Sequence, residues 1–477
     1  MPTYTVVTFG CQMNQHDSER IGEVLRRAGY DEREHPQDAD LVLLNTCSVR
    51  EKAEQKLRSE VGRLGQLKRQ RPELVIAVAG CLAQQEGERL IRRLPQIDVV
   101  IGPDKIGDLP QLLAAVELGA GARVSTGFDV AAPSFLGADA QPGRSGVSAF
   151  VTVMKGCNER CSFCIVPTTR GPERYRPLSE IVDEVARLVG AGVREVTLLG
   201  QTVNSYVTKP LEAADREQRT RPDESEFPEL LRALVAAVPA LARLRYTSPH
   251  PRHLTPSLIR AHAELAPLAR HVHLPVQSGS DRVLRRMIRR YSVEEYEARV
   301  AALRAAVPGV SLATDVIVGF PGETRADFEA TLGLIERVGY TQVYAFKYSP
   351  RPSTPALKLG DDVSEQEKSD RLAELLQLAD GLRRAHLESR VGEVERVLVE
   401  GRGRGEEFTG RSERNEIVHL DSPRVDPSGQ LVAVRIERAF KNSLAGALVE
   451  ERGLPPRRPD TPRAAPDAAR RALPVLG

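Results

Sequence analysis

Three cysteines stand within eight residues, in the order Cys157-Asn-Glu-Arg-Cys161-Ser-Phe-Cys164, directly after the apolar run AFVTVMKG. Three thiolates on one loop can hold a single inorganic centre without any other part of the chain. A structural zinc ion takes four ligands, and no fourth Cys or His lies nearby in the sequence. A cubane iron–sulfur cluster held by three cysteines instead leaves one iron open to a small-molecule ligand. The bland alternative is a set of small buried thiols, and three at this spacing on the exit of a strand weigh against it.

The other three cysteines repeat one offset. Cys11 follows TVVTFG, Cys47 follows LVLLNT and Cys81 follows VIAVAG, each at, or one residue past, the carboxyl end of an expected parallel strand. In an open α/β sheet those ends line one edge, where ligands bind. Residues remote in sequence then converge on one spot and form a second three-thiolate set, again short of a closed zinc shell.

The elements that must position these groups follow from periodicity. The runs TYTVVTFG, DLVLLNT, ELVIAVAG and IDVVIG read as buried parallel strands, with helices expected near 17–28, 49–68, 84–93 and 105–118. That alternation predicts an α/β fold with an N-terminal doubly wound parallel sheet over 2–120. The Gly-, Pro- and Ala-rich stretch 131–148 closes an expected linker, 121–148. Six further strands, AFVTVMK, REVTLLG, RLRYTS, HVHLPV, VSLATDVIVGF and TQVYAFKYS, alternate with helices near 178–189, 229–238, 255–266, 281–306 and 325–338. They predict a partial (β/α)6 barrel over 149–385, with functional groups at the strand carboxyl ends. Within it, 208–226 reads as a solvated polar insertion. A long helix near 364–389 leads into a small β-barrel at 386–450, and the Pro- and Arg-rich tail 451–477 is expected to be disordered.

The totals bound the function classes. The chain has 477 residues, 41% hydrophobic and 28% charged, no Trp and a formal charge of +2, so bulk charge points to no nucleic-acid partner. Six cysteines in a chain of this size suit thiols of a reducing compartment better than a secreted disulfide framework. No apolar run approaches a membrane span and MPTYTVVTFG reads as a strand, so a cytoplasmic location without membrane contact is expected.

The Cys-x3-Cys-x2-Cys spacing after the first strand of a β/α barrel resembles the radical S-adenosylmethionine superfamily. The two triads together resemble the methylthiotransferases of that superfamily, through TFGCQMNQHDSE, LNTCSVREKAEQK, GCLAQ, GCNERCSFCIVPTTRG, LLGQTVNSY, HLPVQSGS, TDVIVGFPGET and YSPRPSTPA. The stretches GCQMN, NTCSVRE and CIVPTTRG are most similar to the branch acting on N6-dimethylallyladenosine in tRNA. Siblings act on a ribosomal protein aspartate or on threonylcarbamoyl-adenosine. Two departures stand out: Tyr175 in GPERYRP, where the family more often has Ser, and the length of the 208–226 insertion.

The resemblance implies two 4Fe–4S clusters and two molecules of S-adenosylmethionine. Cys157, Cys161 and Cys164 would serve cofactor cleavage, while Cys11, Cys47 and Cys81 would carry the delivered sulfur to adenine C2 at tRNA position 37. An aromatic C–H is too weakly acidic for a side-chain base, which makes radical chemistry the reasonable route. The resemblance also makes Gly200, Gln201, Gln277, Ser278 and Asp315 contacts of the cofactor's methionine or ribose. Read as residues alone, they could equally be turn and strand-end positions. His250, His253, His271 and His273 read as ordinary hydrogen-bonded histidines, and GFPGE as weak evidence for a phosphate turn.

The last module resembles the RNA-binding TRAM domain. It holds ten Lys or Arg against twelve Asp or Glu between 386 and 450, so only a local stripe through Arg402, Arg404, Arg411, Arg414, Arg438 and Lys441 would favour RNA. Implied partners are tRNA carrying N6-dimethylallyladenosine and an electron donor such as flavodoxin or ferredoxin, with the chain a monomer. From another class, a non-catalytic RNA-binding metalloprotein would carry the same thiols.

Overall fold

A computed structural model describes residues 1–48, 51–130, 133–139, 146–207, 225–403, 407–420 and 426–449. The expected disordered tail 451–477, most of the insertion (208–224) and Arg404 lie outside these residues. The chain forms two units. Of the described residues, one unit takes 1–139 with Ile165–Arg174, and the other takes 146–164 and those from 175 to 449. Neither is a continuous length of sequence.

The first unit runs β1 (Thr3–Phe9), α1 (Gln12–Arg27), β2 (Asp31–Glu32), β3 (Leu41–Thr46), α2 (Glu51–Gln70), β4 (Val75–Gly80), α3 (Cys81–Glu86), α4 (Glu88–Arg93), β5 (Val99–Ile101), α5 (Leu109–Glu117) and β6 (Arg123–Ser125). Its strands are all parallel, in the order β2-β1-β3-β4-β5-β6. The pleat sends alternate residues to opposite faces. Val42, Leu44, Ile76 and Val78 pack with Leu57, Val61 and Leu64 of α2 on one side. Leu41, Leu43, Ala77 and Ala79 pack with Ile21 and Leu25 of α1 on the other. A sheet covered on both faces needs continuous apolar strands, which is why DLVLLNT and ELVIAVAG carry no alternation.

Three details differ from expectation. The helix expected at 84–93 is split at Gly87, whose φ of +50° ends α3 and starts α4. The span expected as linker contributes β6, paired to β5 at the sheet edge. Helix α1 begins five residues early because Cys11 caps it.

In the second unit, β7 (Ser148–Thr152) and β8 (Met154–Lys155) precede the cysteine loop. Helix α6 (Val166–Arg170) belongs to the first unit, and β9 (Arg174–Tyr175) marks the chain's return. Then come α7 (Leu178–Gly190), β10 (Glu195–Leu199), α8 (Phe227–Ala237), β11 (Arg243–Tyr246), α9 (Pro256–Glu264), β12 (His271–His273), α10 (Asp281–Arg286), α11 (Val293–Ala306), β13 (Ser311–Val318), α12 (Arg325–Val338) and β14 (Gln342–Lys347). The six barrel strands form two parallel three-stranded sheets, β11-β10-β7 and β12-β13-β14.

The helix expected across 281–306 is in fact two. Ile288 and Arg290 take φ values of +57° and +56°, a left-handed conformation that is unfavourable for a β-branched side chain. Helix α11 then starts afresh on a capping box between Ser292 and Glu295.

Helix α13 (Glu365–Glu388) leads to β15 (Val394–Arg402), β16 (Phe408–Ser412), β17 (Ile417–Leu420), β18 (Leu431–Ala439) and β19 (Leu444–Leu448), a closed barrel ordered β15-β16-β17-β19-β18. The closing strand LAGAL was hidden by its small residues. Gly446 is required there, because a Cβ would lie 2.1 Å from the Arg435 carbonyl oxygen. Leu387 of α13 enters this barrel's core beside Val397, Phe408 and Val434.

Buried arginines dock the β-barrel on the strand β11. Arg243 donates to the carbonyls of Arg411 (2.7 Å) and Arg396 (3.2 Å), and Arg245 to that of Ser412 (2.8 Å). Glu195 balances both guanidinium groups, at 3.4 and 3.0 Å. Removing one member of a buried ion pair strands the other, at a cost of about 3–5 kcal/mol. Arg243→Met is therefore expected to lower the urea midpoint by a loss of roughly 3 kcal/mol. Arg396→Ala, which removes a 61% exposed side chain, should stay within about 0.5 kcal/mol of the parent.

Candidate functional site

The three cysteines of the first unit follow β1, β3 and β4, which are neighbours in the sheet with Phe9, Thr46 and Gly80 in register. The change of direction in the strand order falls between β1 and β3, the crevice where open α/β sheets bind ligands. Cys11 is the N-cap of α1, Cys47 leaves β3, and Cys81 opens α3. The sequence offsets thus become a common edge.

Two fully buried asparagines tie that edge together. Asn14 Nδ2 donates to Asn45 Oδ1 (3.1 Å), and Asn45 Nδ2 donates to the Asn14 carbonyl (2.8 Å) and to Ser18 Oγ (2.9 Å). Asn14 Oδ1 accepts from the backbone N–H of Cys11 (3.3 Å) and from its thiol (3.5 Å). Glycines make room for this network. A Cβ on Gly10 would sit 2.3 Å from Asn14 Oδ1 and 2.9 Å from Cys47 Cβ, and one on Gly80 would sit 2.5 Å from the Thr46 carbonyl. These asparagines escaped the sequence reading, although an Asn inside the apolar run LVLLNT was a usable signal.

Thiol chemistry is prepared here. A hydrogen bond from Cys47 holds the Cys11 thiol down to about 6, against its burial. Burial pushes the Cys81 thiol up. Arg170 Nε donates to Cys81 Sγ at 3.2 Å, and Arg170 Nη2 to Asp17 Oδ2 at 2.6 Å. Burial would raise the Asp17 carboxyl, but the Arg170 charge together with hydrogen bonds from His16 and Arg170 outweighs it and holds the group at about 2. Three cysteines outside any disulfide on one edge, with a glycine cradle, fit a sulfur-ligated cluster.

In the second unit, loops at the barrel's strand ends grip the second triad. The Gly156 N–H donates to Gln201 Oε1, and Cys157 Sγ lies 2.9 Å from Thr202 Oγ1. Ser162 bonds the carbonyls of Met287 (2.9 Å) and Arg286 (2.8 Å), at the end of α10. Arg289, in the left-handed break after α10, donates to Cys161 Sγ at 3.3 Å. It is fixed by Tyr291 Oη (3.1 Å) and the Pro275 carbonyl (2.9 Å). The strained break thus delivers a guanidinium to a sulfur, and an expected continuous helix concealed it.

The expected cofactor contacts separate. Gly200 fits closely, since a Cβ would meet Met154 Cγ at 2.6 Å, and Gln201 braces the cysteine loop. Gln277 takes φ +73° and ladders with Asp315 and Ile317. Asp315 Oδ1 is 3.1 Å from His273 Nε2. Ser278 is fully buried, and its hydroxyl meets Thr331 Oγ1 (3.4 Å) and accepts from Ser280 N–H (3.2 Å). Tyr344 and Phe346 share a face with Asp315 and Ile317 by register and stand 40% and 41% exposed.

Among the described residues, Glu159, His250 and His253 bring ligand atoms within 4.8 Å of one another. Glu159 already meets His253 Nε2 (3.3 Å) and Arg252 Nη1 (3.4 Å). Burial, with Arg289 and Arg252 nearby, pushes the His250 imidazole well down. So electropositive a setting suits a clamp on the cysteine loop better than a cation. The GFPGE turn is closed by its own Glu323, which accepts from Gly319 N–H (2.8 Å) and Arg371 (2.6 Å), so it presents an anion where a phosphate turn would present donors. Tyr175 makes an edge contact with Tyr206 at 6.1 Å.

The expected RNA stripe is largely neutralised. Arg411 pairs with Glu400, Arg414 with Glu395 and Lys441 with Asp380. Arg402 lies over Phe408 and Arg438 over Phe440, the latter ring 48% exposed.

Gly80 offers a direct test of the first site. Gly80→Ala at φ +94° with a backbone oxygen 2.5 Å away is expected to lose at least about 2 kcal/mol in urea denaturation. Gly62→Ala, in α2 with open space around it, should gain roughly 0.5–1 kcal/mol.

Residues 3–102 match uncharacterized protein family UPF0004, residues 151–335 the radical SAM superfamily and residues 388–449 the TRAM domain. The tRNA-2-methylthio-N(6)-dimethylallyladenosine synthase of Sorangium cellulosum (strain So ce56) is 57% identical over 494 residues, covering 100% of this chain and 99% of that protein. The protein of that name from Ralstonia nicotianae is 44% identical over 461 residues, covering 94% and 97%. Among solved structures, the radical S-adenosylmethionine methyltransferase TsrM from Kitasatospora setae, with cobalamin and a 4Fe–4S cluster bound, superposes with a TM-score of 0.51 at 16% identity. It covers 75% of this chain and 77% of its own, a likeness of fold alone. With more than half its residues shared across the full length of such a synthase, the chain belongs to the tRNA-2-methylthio-N(6)-dimethylallyladenosine synthase family of radical S-adenosylmethionine methylthiotransferases.

Proposed function

We propose that this enzyme transfers a methylthio group to C2 of N6-dimethylallyladenosine at position 37 of tRNA. The observation that carries the reading is full-length identity of 57% to a synthase of that name, spanning the first sheet, the barrel and the TRAM module together. The radical S-adenosylmethionine domain implies a 4Fe–4S cluster and S-adenosylmethionine; a second cluster on the other triad is part of the proposal.

Cys157, Cys161 and Cys164 would hold the cofactor-cleaving cluster, and Cys11, Cys47 and Cys81 the sulfur-bearing one. When bound, an open-iron cluster chelates S-adenosylmethionine and supplies the electron that cleaves it. The protein's own part is placement. Arg289 orients the Cys161 sulfur, Gln201 fixes the backbone before Cys157, and Gly200, bare where Met154 packs, stays among the proposed cofactor contacts. Gln277, Ser278 and Asp315 stay as proposed cofactor contacts. Tyr344 and Phe346 give the barrel an apolar wall suited to a flat base. On the TRAM module, Arg438 and the exposed Phe440 are the best-placed RNA contacts. We also propose a monomer that draws electrons from a flavodoxin or ferredoxin in the cytoplasm. No helix among the described residues is long and apolar enough to cross a membrane.

Mass spectrometry of tRNA nucleosides decides the substrate. Cells lacking this protein should lose 2-methylthio-N6-dimethylallyladenosine and accumulate the unthiolated base; undiminished product would overturn the assignment. Anaerobic reconstitution should give about eight irons per chain. Cys157→Ala should abolish deoxyadenosine formation. Cys47→Ala should retain it while blocking sulfur insertion, and equal loss in both assays would argue against separate roles.

A further inference from the structure

Resting on the two-cluster reading, we propose that Arg170 is a positioning residue for the cluster on Cys11, Cys47 and Cys81, donating its Nε–H to the Cys81 sulfur and thereby setting that cluster's reduction potential. Arg170 lies six residues beyond Cys164, yet belongs to the first unit. Its side chain is 4% exposed, with Nε 3.2 Å from Cys81 Sγ and Nη2 2.6 Å from Asp17 Oδ2.

The geometry goes beyond what a counter-charge needs. Asp17 is itself 8% exposed, so the pair brings little net charge to the sulfurs. What remains is direction: one edge of the guanidinium is held by the carboxylate, and Nε faces the sulfur. A planar fork can satisfy both at once, whereas a lysine ammonium cannot. The backbone is held as firmly. The Arg170 carbonyl accepts from Arg174 Nη2 at 2.7 Å, and Arg174 pairs with Asp104. Gly171, at φ +74°, ends α6 against the Phe128 ring, over which Arg174 lies at 5.6 Å.

A buried hydrogen bond to a ligand sulfur withdraws electron density from it, which raises the cluster's potential and holds the ligand in place. For a cluster that carries sulfur for transfer, electron density at sulfur is the property that matters. Cys11 has backbone donors of its own at the start of α1, while Cys81 receives this one from α6.

The test uses the full chain with Cys157, Cys161 and Cys164 changed to Ala, so that one cluster remains. This parent should reconstitute with about four irons. Arg170→Gln is expected to move the EPR-monitored midpoint to a more negative value and to release iron to a chelator roughly 10-fold faster. Arg170→Lys, which keeps the charge and loses the fork, should behave like Arg170→Gln. The double variant Arg170→Gln with Asp17→Asn, which removes the hydrogen bond without leaving a buried unpaired charge, should shift the midpoint in the same direction and serves if Arg170→Gln alone does not fold. An unchanged midpoint in Arg170→Gln or in the double variant, or full retention by Arg170→Lys, overturns the proposal. A parent that takes up no iron overturns the two-cluster reading itself.

Discussion

Everything at the edge of the first sheet depends on the amide pair Asn14–Asn45. A buried amide left without partners costs about 1–3 kcal/mol, so this pair holds only if both strand ends and the start of α1 keep their register. Register in a parallel sheet is otherwise set by apolar packing, which tolerates small slips better than a polar network does. The pair converts a loosely specified edge into a fixed one. It also explains the bare backbone at Gly10 and Gly80, since any side chain there would invade the amides. Cys11, Cys47 and Cys81 inherit their placement from this constraint.

The second triad is placed by a different device. Its loop is clamped from several barrel strand ends, through Gln201 and Thr202, Glu159 with His253, and Arg289. The left-handed turn at Ile288 and Arg290 is unfavourable by itself and persists because Tyr291, Pro275 and Cys161 all engage the residue between them. Local strain is offset by buried hydrogen bonds, a trade common at functional sites. Each triad thus receives one guanidinium hydrogen bond at one sulfur, through unrelated local structures.

Most of this architecture was legible from the residues. The strands ending at Phe9, Thr46 and Gly80 were apolar runs of strand length, and the cysteine offsets marked their common edge. The barrel strands were found in order, as was α12, whose Thr324 capping box is plain in the sequence. What escaped has physical reasons. LAGAL lacks β-branched residues, because β19 must pass close to a neighbouring backbone. The break after Arg286 lies in a stretch with sound helix propensity, and only tertiary contacts to the cysteine loop override it; the Ser-Val-Glu-Glu cap at 292 was the one available sign. The arginine stripe was counted by charge, while the fold spends Arg411 and Arg414 on carboxylates.

The two-way passage of the chain between units, out at Ile165 and back at Tyr175, bears on synthesis. A protein emerging from the ribosome folds from its amino end, and the parallel sheet of the first unit is complete once Ser125 has appeared. Its thiol edge is not, since the guanidinium beside Cys81 is encoded 45 residues further on, just past the other triad. A nascent first unit would therefore present three thiols with an unfinished wall until the cysteine loop of the second has also emerged. The reading direction of the gene thus places the first unit's thiols in the nascent chain before the guanidinium that borders them.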